Sequence, residues 1–349
     1  MKKLNAILGG AALAAAVLAI PSAPAGACSR VLYKGLDSIY VVARSLDWKT
    51  PIPTNLYVYP RGMKKESSNL PSAIRWTSKY GAVYAVSYDG GITEGMNEKG
   101  LVINGLFYKG TIYNDENNPH QHQMSLAVFV AWMLDQCATT DEVCDLLRNS
   151  SFDIQGATFD GGTVSALHWG VTDATGKSVI FEFDHGKINI HDMGDYLAMT
   201  NDPQWPAMTA IINYWEKIGG RNALPGTVSS PDRCVRANYF AHHVKAVDDA
   251  DLAVSIARSV IVPSCVPYTY EIETEPNVSS TQWRTYANLR DRRYYFDLCV
   301  NPGYYYVDLT KLDLRKGQPV LKLETEKTSD LVGCANHRLI KTKPFQPMW

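Results

Sequence analysis

Pro21-Ser-Ala-Pro-Ala-Gly-Ala-Cys-Ser-Arg-Val-Leu32 is the stretch on which the reading of this chain turns. Upstream lie a short basic region, Lys2-Lys3, and an apolar run from Ile7 to Ile20. That run falls short of the ~20 residues that cross a bilayer. Ala25-Gly26-Ala27 supplies the small-x-small pattern of a cleavage site, so residues 1–27 read as a secretory signal peptide. Residues 28–349 then read as one exported domain, periplasmic or secreted, with no stable membrane insertion. Cleavage after Ala27 leaves Cys28 as the first residue, and two fates compete for it. The first is lipid anchoring, but such signals normally carry Leu three residues before the Cys, and here Ala25 stands there. The second is an N-terminal nucleophile freed by the signal peptidase.

The rest of the composition is ordinary. The chain has 349 residues, 46% apolar and 20% charged, with a net charge of −1. Nothing in that balance points to nucleic acid or a polyanion. Six cysteines remain besides Cys28. That is an even number in an exported chain, yet too sparse for a disulfide scaffold. Cys137 and Cys144 flank Ala138-Thr-Thr140, a turn between two helical stretches, so a bridge there and two free thiols are both open.

Downstream the pattern alternates in blocks. Ser38–Arg44, Asn55–Tyr59, Val83–Tyr88 and Leu101–Tyr108 are β-branched and aromatic, with turn residues between them. Met124–Leu134 has helical periodicity with Ser125 as its cap, and a second helix begins near Thr140, a capping residue followed by Asp141 and Glu142. Ala166–Thr172 and Ser178–Asp184 flank the hairpin signal Asp173-Ala-Thr-Gly176, and Lys187–His191 follows. Helices are expected over Trp205–Ile218, Asn238–Val247 and Asp251–Val262. Thr281–Asn288, Arg293–Val300 and Tyr304–Leu309 return to strand. Strands arrive in hairpin runs, not in strict βαβ alternation, which predicts an α+β layered protein with mostly antiparallel sheets.

The common catalytic motifs are absent: no GxSxG elbow, Walker loop, GxGxxG or HExxH occurs. His120-x-His122 and His242-His243 lack a third partner at metal-binding spacing, so no metal is expected. What remains is a nucleophile without a histidine. A Cys at the mature N-terminus supplies its own base, because an α-amino group of pKa about 7.7–8.0 accepts the thiol proton near neutral pH.

The mature chain resembles the choloylglycine hydrolase family, the conjugated bile salt hydrolases and penicillin V acylases, in its exported Gram-negative branch. The blocks that carry the likeness are Cys28-Ser-Arg-Val-Leu, Ala43-Arg-Ser-Leu-Asp-Trp48, Trp76-Thr-Ser-Lys-Tyr-Gly81 and Gly95-Met-Asn-Glu-Lys-Gly-Leu101. Further on come Met199-Thr-Asn-Asp-Pro203, Leu224-Pro-Gly226, Asp232-Arg-Cys-Val-Arg236 and Ser280-Thr-Gln-Trp-Arg-Thr285. The resemblance implies a four-layer αββα sandwich, the N-terminal-nucleophile hydrolase fold. It implies a homo-oligomer, a tetramer, with no cofactor. It casts Cys28 as nucleophile, Asp47 as holder of the α-amino group and Arg44 as a cation beside the thiol. Asn201 would be the oxyanion donor and Arg233 the catalytic arginine, ahead of Arg236. On residue type alone, Arg44 also reads as a strand-end surface arginine, Asp47 as a turn residue and Asn201 as an Asx-turn before Pro203.

The chain departs from the family in places. Phe107 stands where Gram-positive bile salt hydrolases carry Asn, so its side chain donates nothing to an oxyanion. Thr227 and Cys234 replace the usual Asp and Phe. Trp48, Phe107 and Tyr108 are candidate walls for an apolar acyl group. The expected activity is hydrolysis of a small-molecule linear amide. The choice leans to glycine- or taurine-conjugated bile salts, with penicillin V or another N-acyl amide as the alternative. A lipid-anchored binding protein is the non-enzymatic reading.

Overall fold

The hairpin runs assemble into two large sheets stacked face to face with helices outside each, in a computed structural model that describes residues 27–156, 158–159, 163–271 and 279–349. The signal-peptide assignment therefore lies outside the described residues, apart from Ala27. A seven-stranded sheet is centred on β1 (Ala27–Lys34), β2 (Tyr40–Trp48) and the strand Ser280–Asn288. Ala198–Met199 flanks β1, and Arg293–Leu298, Tyr305–Asp308 and Gly333–Cys334 extend the opposite side. A nine-stranded antiparallel sheet runs through Leu167–Thr172, Val102–Phe107, Gly91–Asn97, Ala82–Ser87 and Thr54–Tyr59. This is the α+β, four-layer αββα arrangement expected.

Helices α1 (Leu126–Gln136) and α2 (Thr140–Arg148) cover the nine-stranded sheet. Helices α3 (Trp205–Ile218), α4 (Ser230–His243) and α5 (Ala250–Ile261) cover the other, with α4 and α5 packed on β1. Both central sheets are thus buried on two faces, which is why Ile39-Tyr-Val-Val-Ala43 reads as a continuous apolar run instead of alternating. Among the described residues no helix is long and apolar enough to cross a membrane.

Several local expectations need correction. Ser125 does cap α1, accepting from the Ala127 N–H. The cap of α2 is Thr139, not Thr140; the Thr140 hydroxyl bonds Asp173 instead. Helix α4 starts at Ser230, eight residues before the expected Asn238. Pro231 reads as a breaker but sits in the first turn, where a missing N–H costs nothing and its fixed φ suits a helix. The strand Gly91–Asn97 went unread, because Thr93, Glu94 and Asn97 interrupt its apolar pattern. Cys137 and Cys144 are buried free thiols, and burial pushes the Cys137 thiol up to about 12.

Candidate active site

Strand parity distributes the site residues. In the β1–β2 ladder Cys28 pairs with Leu46 and Arg30 with Arg44. Side chains alternate along a strand and paired residues share a face, so Cys28, Arg30, Leu46 and Arg44 all point one way. That way is toward the second sheet: Arg30 Nε donates to Asn104 Oδ1 and Arg44 Nη2 donates to the Gly105 carbonyl. Ser29, Ser45 and Asp47 point the other way, toward α4, where the Arg233 guanidinium donates to the Ser29 hydroxyl. The nucleophile candidate and Asp47 therefore lie on opposite faces of one sheet.

Cys28 is buried, with its Sγ 3.6 Å from Arg44 Nη2. Arg44 is not a surface arginine but 1% exposed. Its guanidinium lies over the Trp283 ring at 4.6 Å, and its Nε is 3.1 Å from Glu94 Oε2. The Cys28 nitrogen donates to Asn201 Oδ1 at 2.7 Å. That nitrogen is here a peptide amide bonded to Ala27. Arg233 ties the assembly together from α4. Its Nη1 donates to the Cys28 carbonyl at 2.8 Å and its Nη2 to Asn201 Oδ1 at 2.7 Å. Burial lowers the Arg233 pKa, against the pull of Asp47 and Cys28.

Asp47 differs from expectation. Its oxygens accept from Thr281 Oγ1 at 2.6 Å and Ser45 Oγ at 3.3 Å, and Arg233 Nη1 stands 4.0 Å away. The acceptor on the Cys28 nitrogen is Asn201, the residue expected to be the oxyanion donor. Asp47 projects to the helix side, where Thr281, Ser45 and Arg233 surround it. Burial raises the Asp47 carboxyl to about 6, with Arg233, Thr281, Arg44 and Ser45 opposing. A raised acid holds a proton in the native state that the unfolded chain has already released. Its stabilising contribution is complete below the ordinary Asp value near 3.9 and is lost as pH climbs to about 6. Asp47→Asn should therefore gain thermal stability relative to the parent between pH ~4 and ~6. Melting both proteins across that range checks it; parallel curves would place the Asp47 carboxyl at its ordinary value.

Asn201 is not a free turn residue. Its backbone N–H donates to Ser230 Oγ at the start of α4, and its Nδ2 donates to the Phe107 carbonyl at 2.7 Å. The preceding carbonyl, of Thr200, accepts from His168 Nε2 at 2.8 Å, while His168 Nδ1 is 3.2 Å from Glu182 Oε1. Burial opposes ionisation of Glu182, yet bonds to His168 and His191 hold it down at about 2. Sequence reasoning missed Ser230, His168, Glu182 and Glu94. For His168, Glu182 and Glu94 the signal was a polar or charged residue inside an otherwise apolar strand; Ser230 gave none. Arg236 faces away and donates to the Pro225 and Thr227 carbonyls. Tyr108 also leaves the site: its ring stacks on His168 at 4.9 Å.

Beside Cys28 and Arg44 opens a cavity of about 100 Å³ walled by Leu46, Trp48, Ile52, Ile92, Phe107, Leu126 and Leu167. Trp48 and Phe107 meet there as tilted rings 5.8 Å apart. The site thus joins a thiol, a cation against it, a held nitrogen and an apolar chamber, which suits nucleophilic attack on an acyl group with an apolar tail.

The comparisons agree with this chemistry. The profile of the linear amide C–N hydrolases, choloylglycine hydrolase family, matches residues 28–329. The chain is 32% identical to a penicillin V acylase of Pectobacterium atrosepticum over 363 aligned positions, covering 96% of each chain. It is 25% identical to a bile salt hydrolase/transferase of Clostridium perfringens, covering 82% of this chain and 94% of that one. The solved penicillin V acylase from Agrobacterium tumefaciens superposes with a TM-score of 0.83 at 37% identity, covering 92% of this chain and 99% of that one. A conjugated bile acid hydrolase from Clostridium perfringens shares the fold, with a TM-score of 0.69 at 20% identity over 85% of this chain and 96% of the other. This chain, with its buried Cys28 where the matched segment begins, belongs to the choloylglycine hydrolase family and is a hydrolase of linear amide bonds.

Proposed function

We propose that this is an exported amidohydrolase, periplasmic or secreted, that works through Cys28 once the chain is processed after Ala27. Its preferred acyl group is small and aromatic, of the aryloxyacetyl kind found in penicillin V. The carrying observation is the cavity beside the thiol: about 100 Å³, with two aromatic rings in its wall. Ligand pockets for drug-sized molecules usually run to ~300–1,000 Å³. A phenoxy ring suits the smaller space better than a fused steroid does, so this reading moves away from the bile-salt preference that the sequence alone favoured. Likeness to two penicillin V acylases over nearly the whole chain supports it.

The roles follow from the geometry. The α-amine of Cys28 accepts the thiol proton, and Sγ attacks the amide carbon. Arg44 favours the thiolate as the nearest cation. Asn201 Nδ2 carries two hydrogens; one goes to the Phe107 carbonyl and the other stabilises the developing oxyanion. Arg233 holds Asn201 and the Cys28 carbonyl in register, and Asp47 balances Arg233. The ammonium returns its proton to the departing amine as the C–N bond breaks. Water, deprotonated by the same amine, then cleaves the thioester and restores the thiol. Trp48 and Phe107 seat the acyl ring. The family likeness also supports a tetramer, which light scattering on the purified protein would test.

Assaying the processed protein against penicillin V, glycocholate and taurocholate in parallel tests the substrate assignment. A higher kcat/KM for penicillin V is expected, and a higher value for either bile salt would overturn it. Asn201→Ala should lower kcat by roughly 10²–10³ with little change in KM, because its donor acts mainly in the transition state. A variant that is destabilised yet turns over normally would leave Asn201 only its turn-forming role.

A further inference from the structure

Glu94 is a carboxylate fully buried between the two sheets. Its Oε1 accepts from Thr285 Oγ1 and from the Tyr294 hydroxyl, each at 2.6 Å. Those donors come from adjacent strands of the seven-stranded sheet, Ser280–Asn288 and Arg293–Leu298, whereas Glu94 itself sits on Gly91–Asn97 of the other sheet. Its Oε2 faces Arg44 Nε at 3.1 Å. Thr285 is the cross-strand partner of Arg44. One chain of contacts thus runs from Tyr294 and Thr285, through Glu94, to the guanidinium, and from Arg44 Nη2 to the Cys28 thiol.

A buried carboxylate held this way is costly unless something uses its charge. Here two guanidiniums need it. Arg30, also fully buried, pairs with Arg44 across the ladder, donates to Asn104 and Thr172, and leaves its Nη1 without a partner. Burial lowers Arg30 to about 10, with Glu94 pulling the other way. Like charges on neighbouring strands repel, and a free Arg44 would swing away from Arg30 and from the thiol. The Arg44 side chain has a hydrogen bond to the Gly105 carbonyl and a ring face under it, and among the described residues Glu94 is the anion at contact distance.

From these contacts we infer that Glu94, anchored by Thr285 and Tyr294, is a positioning residue that locks the Arg44 guanidinium against the Cys28 sulfur and so sets the reactivity of the nucleophile. The inference rests on the reading of Cys28 as nucleophile. The charged groups around the thiol are Arg44 and Asp47 from β2, Arg30 from β1 itself, Arg233 from α4 and Glu94 from the facing sheet. Glu94 acts on the thiol in two opposed ways. Its own negative field disfavours a thiolate, whereas its hold on Arg44 favours one. Removing its charge therefore distinguishes the two by sign.

The test uses the processed protein at a fixed neutral pH. The rate of Cys28 carboxamidomethylation by iodoacetamide is followed by mass spectrometry of the N-terminal peptide, alongside kcat and KM. For Glu94→Gln, positioning predicts alkylation about tenfold slower and kcat lowered at least as far, with KM within about twofold, because a nearby cation is what raises the thiolate fraction. Tyr294→Phe keeps the carboxylate and loses one of its anchors, so it should show the same signs, a few-fold in size, in a protein that folds. Faster alkylation of Glu94→Gln, or unchanged alkylation in Tyr294→Phe with only a lower melting temperature, would overturn the inference. If complete Cys28 alkylation left hydrolysis of penicillin V intact, the nucleophile assignment itself would fail, and that outcome is separately visible in the parent protein.

Discussion

Replacing Cys28 with serine is expected to give a folded protein whose amide hydrolysis is slower by at least about 10³-fold, since losing the nucleophile removes the covalent route itself. The fold should tolerate the change. Cys28 and Ser differ by one atom, and the residue's backbone stays in the ladder with Leu46 and keeps its bonds to Asn201 and Arg233. The chemistry should not tolerate it. A hydroxyl is far less ionised than a thiol near neutral pH. Arg44 stands 3.6 Å from Sγ, a contact suited to a large polarisable sulfur, and the shorter C–O bond draws the oxygen further away. The charges around the site add to the difference. Arg44, with Nη2 3.6 Å from Sγ, favours a thiolate, and a hydroxyl that stays neutral gains nothing from that cation. Measuring kcat together with the melting temperature settles the point. Turnover near the parent level in a normally folded Cys28→Ser protein would move the nucleophile elsewhere.

What was legible in the sequence was legible locally. The C-terminal end of the helix Trp205–Ile218 is legible because Gly219-Gly220 stops it. The hairpin at Asp173-Ala-Thr-Gly176 was read because Gly176 takes a positive φ of 82° and the Asp173 carboxylate bonds Thr175 inside the turn. The site is not local. Cys28 meets Asn201 and Arg233 across separations of 173 and 205 residues, and no periodicity announces such meetings. Motif resemblance brought those residues together; their exact partners needed the fold. That Asp47 and the Cys28 side chain lie on opposite faces turns on strand parity, which depends on the register of β1 against β2. Glu94 and His168 are single charged residues inside apolar strands, and the pattern alone reads such residues as interruptions. Their meaning appears only when the second sheet supplies Arg44 to one and the Thr200 carbonyl to the other.

A protein that keeps one unremovable residue before Cys28 is expected to fold and to hydrolyse almost nothing. The folding half of the expectation follows from Ala27, which is buried, only 7% exposed, and pairs with Asp47 at the end of the β1–β2 ladder. An extra residue thus has a place in the strand. The catalytic half follows from the nitrogen. Asn201 Oδ1 accepts from the Cys28 nitrogen at 2.7 Å while that nitrogen is acylated by Ala27, so a retained residue is compatible with this hydrogen bond and what it changes is the chemistry of the nitrogen. A free α-amine of pKa about 7.7–8.0 takes the thiol proton near neutrality, whereas an amide nitrogen has its lone pair committed to the carbonyl and cannot. No histidine lies among the residues found around Cys28 to replace it; His168 is engaged with Thr200 and Glu182. A retained residue that screened the thiol from an incoming acyl group would add a second, steric effect. Two measurements separate these effects. Iodoacetamide reports whether the thiol is still reachable, and penicillin V turnover reports whether the base is present. A reachable thiol with turnover lost identifies the amine as the base. Turnover equal to that of the processed protein would mean that the base is some other group, and that cleavage before Cys28 serves export without building the site.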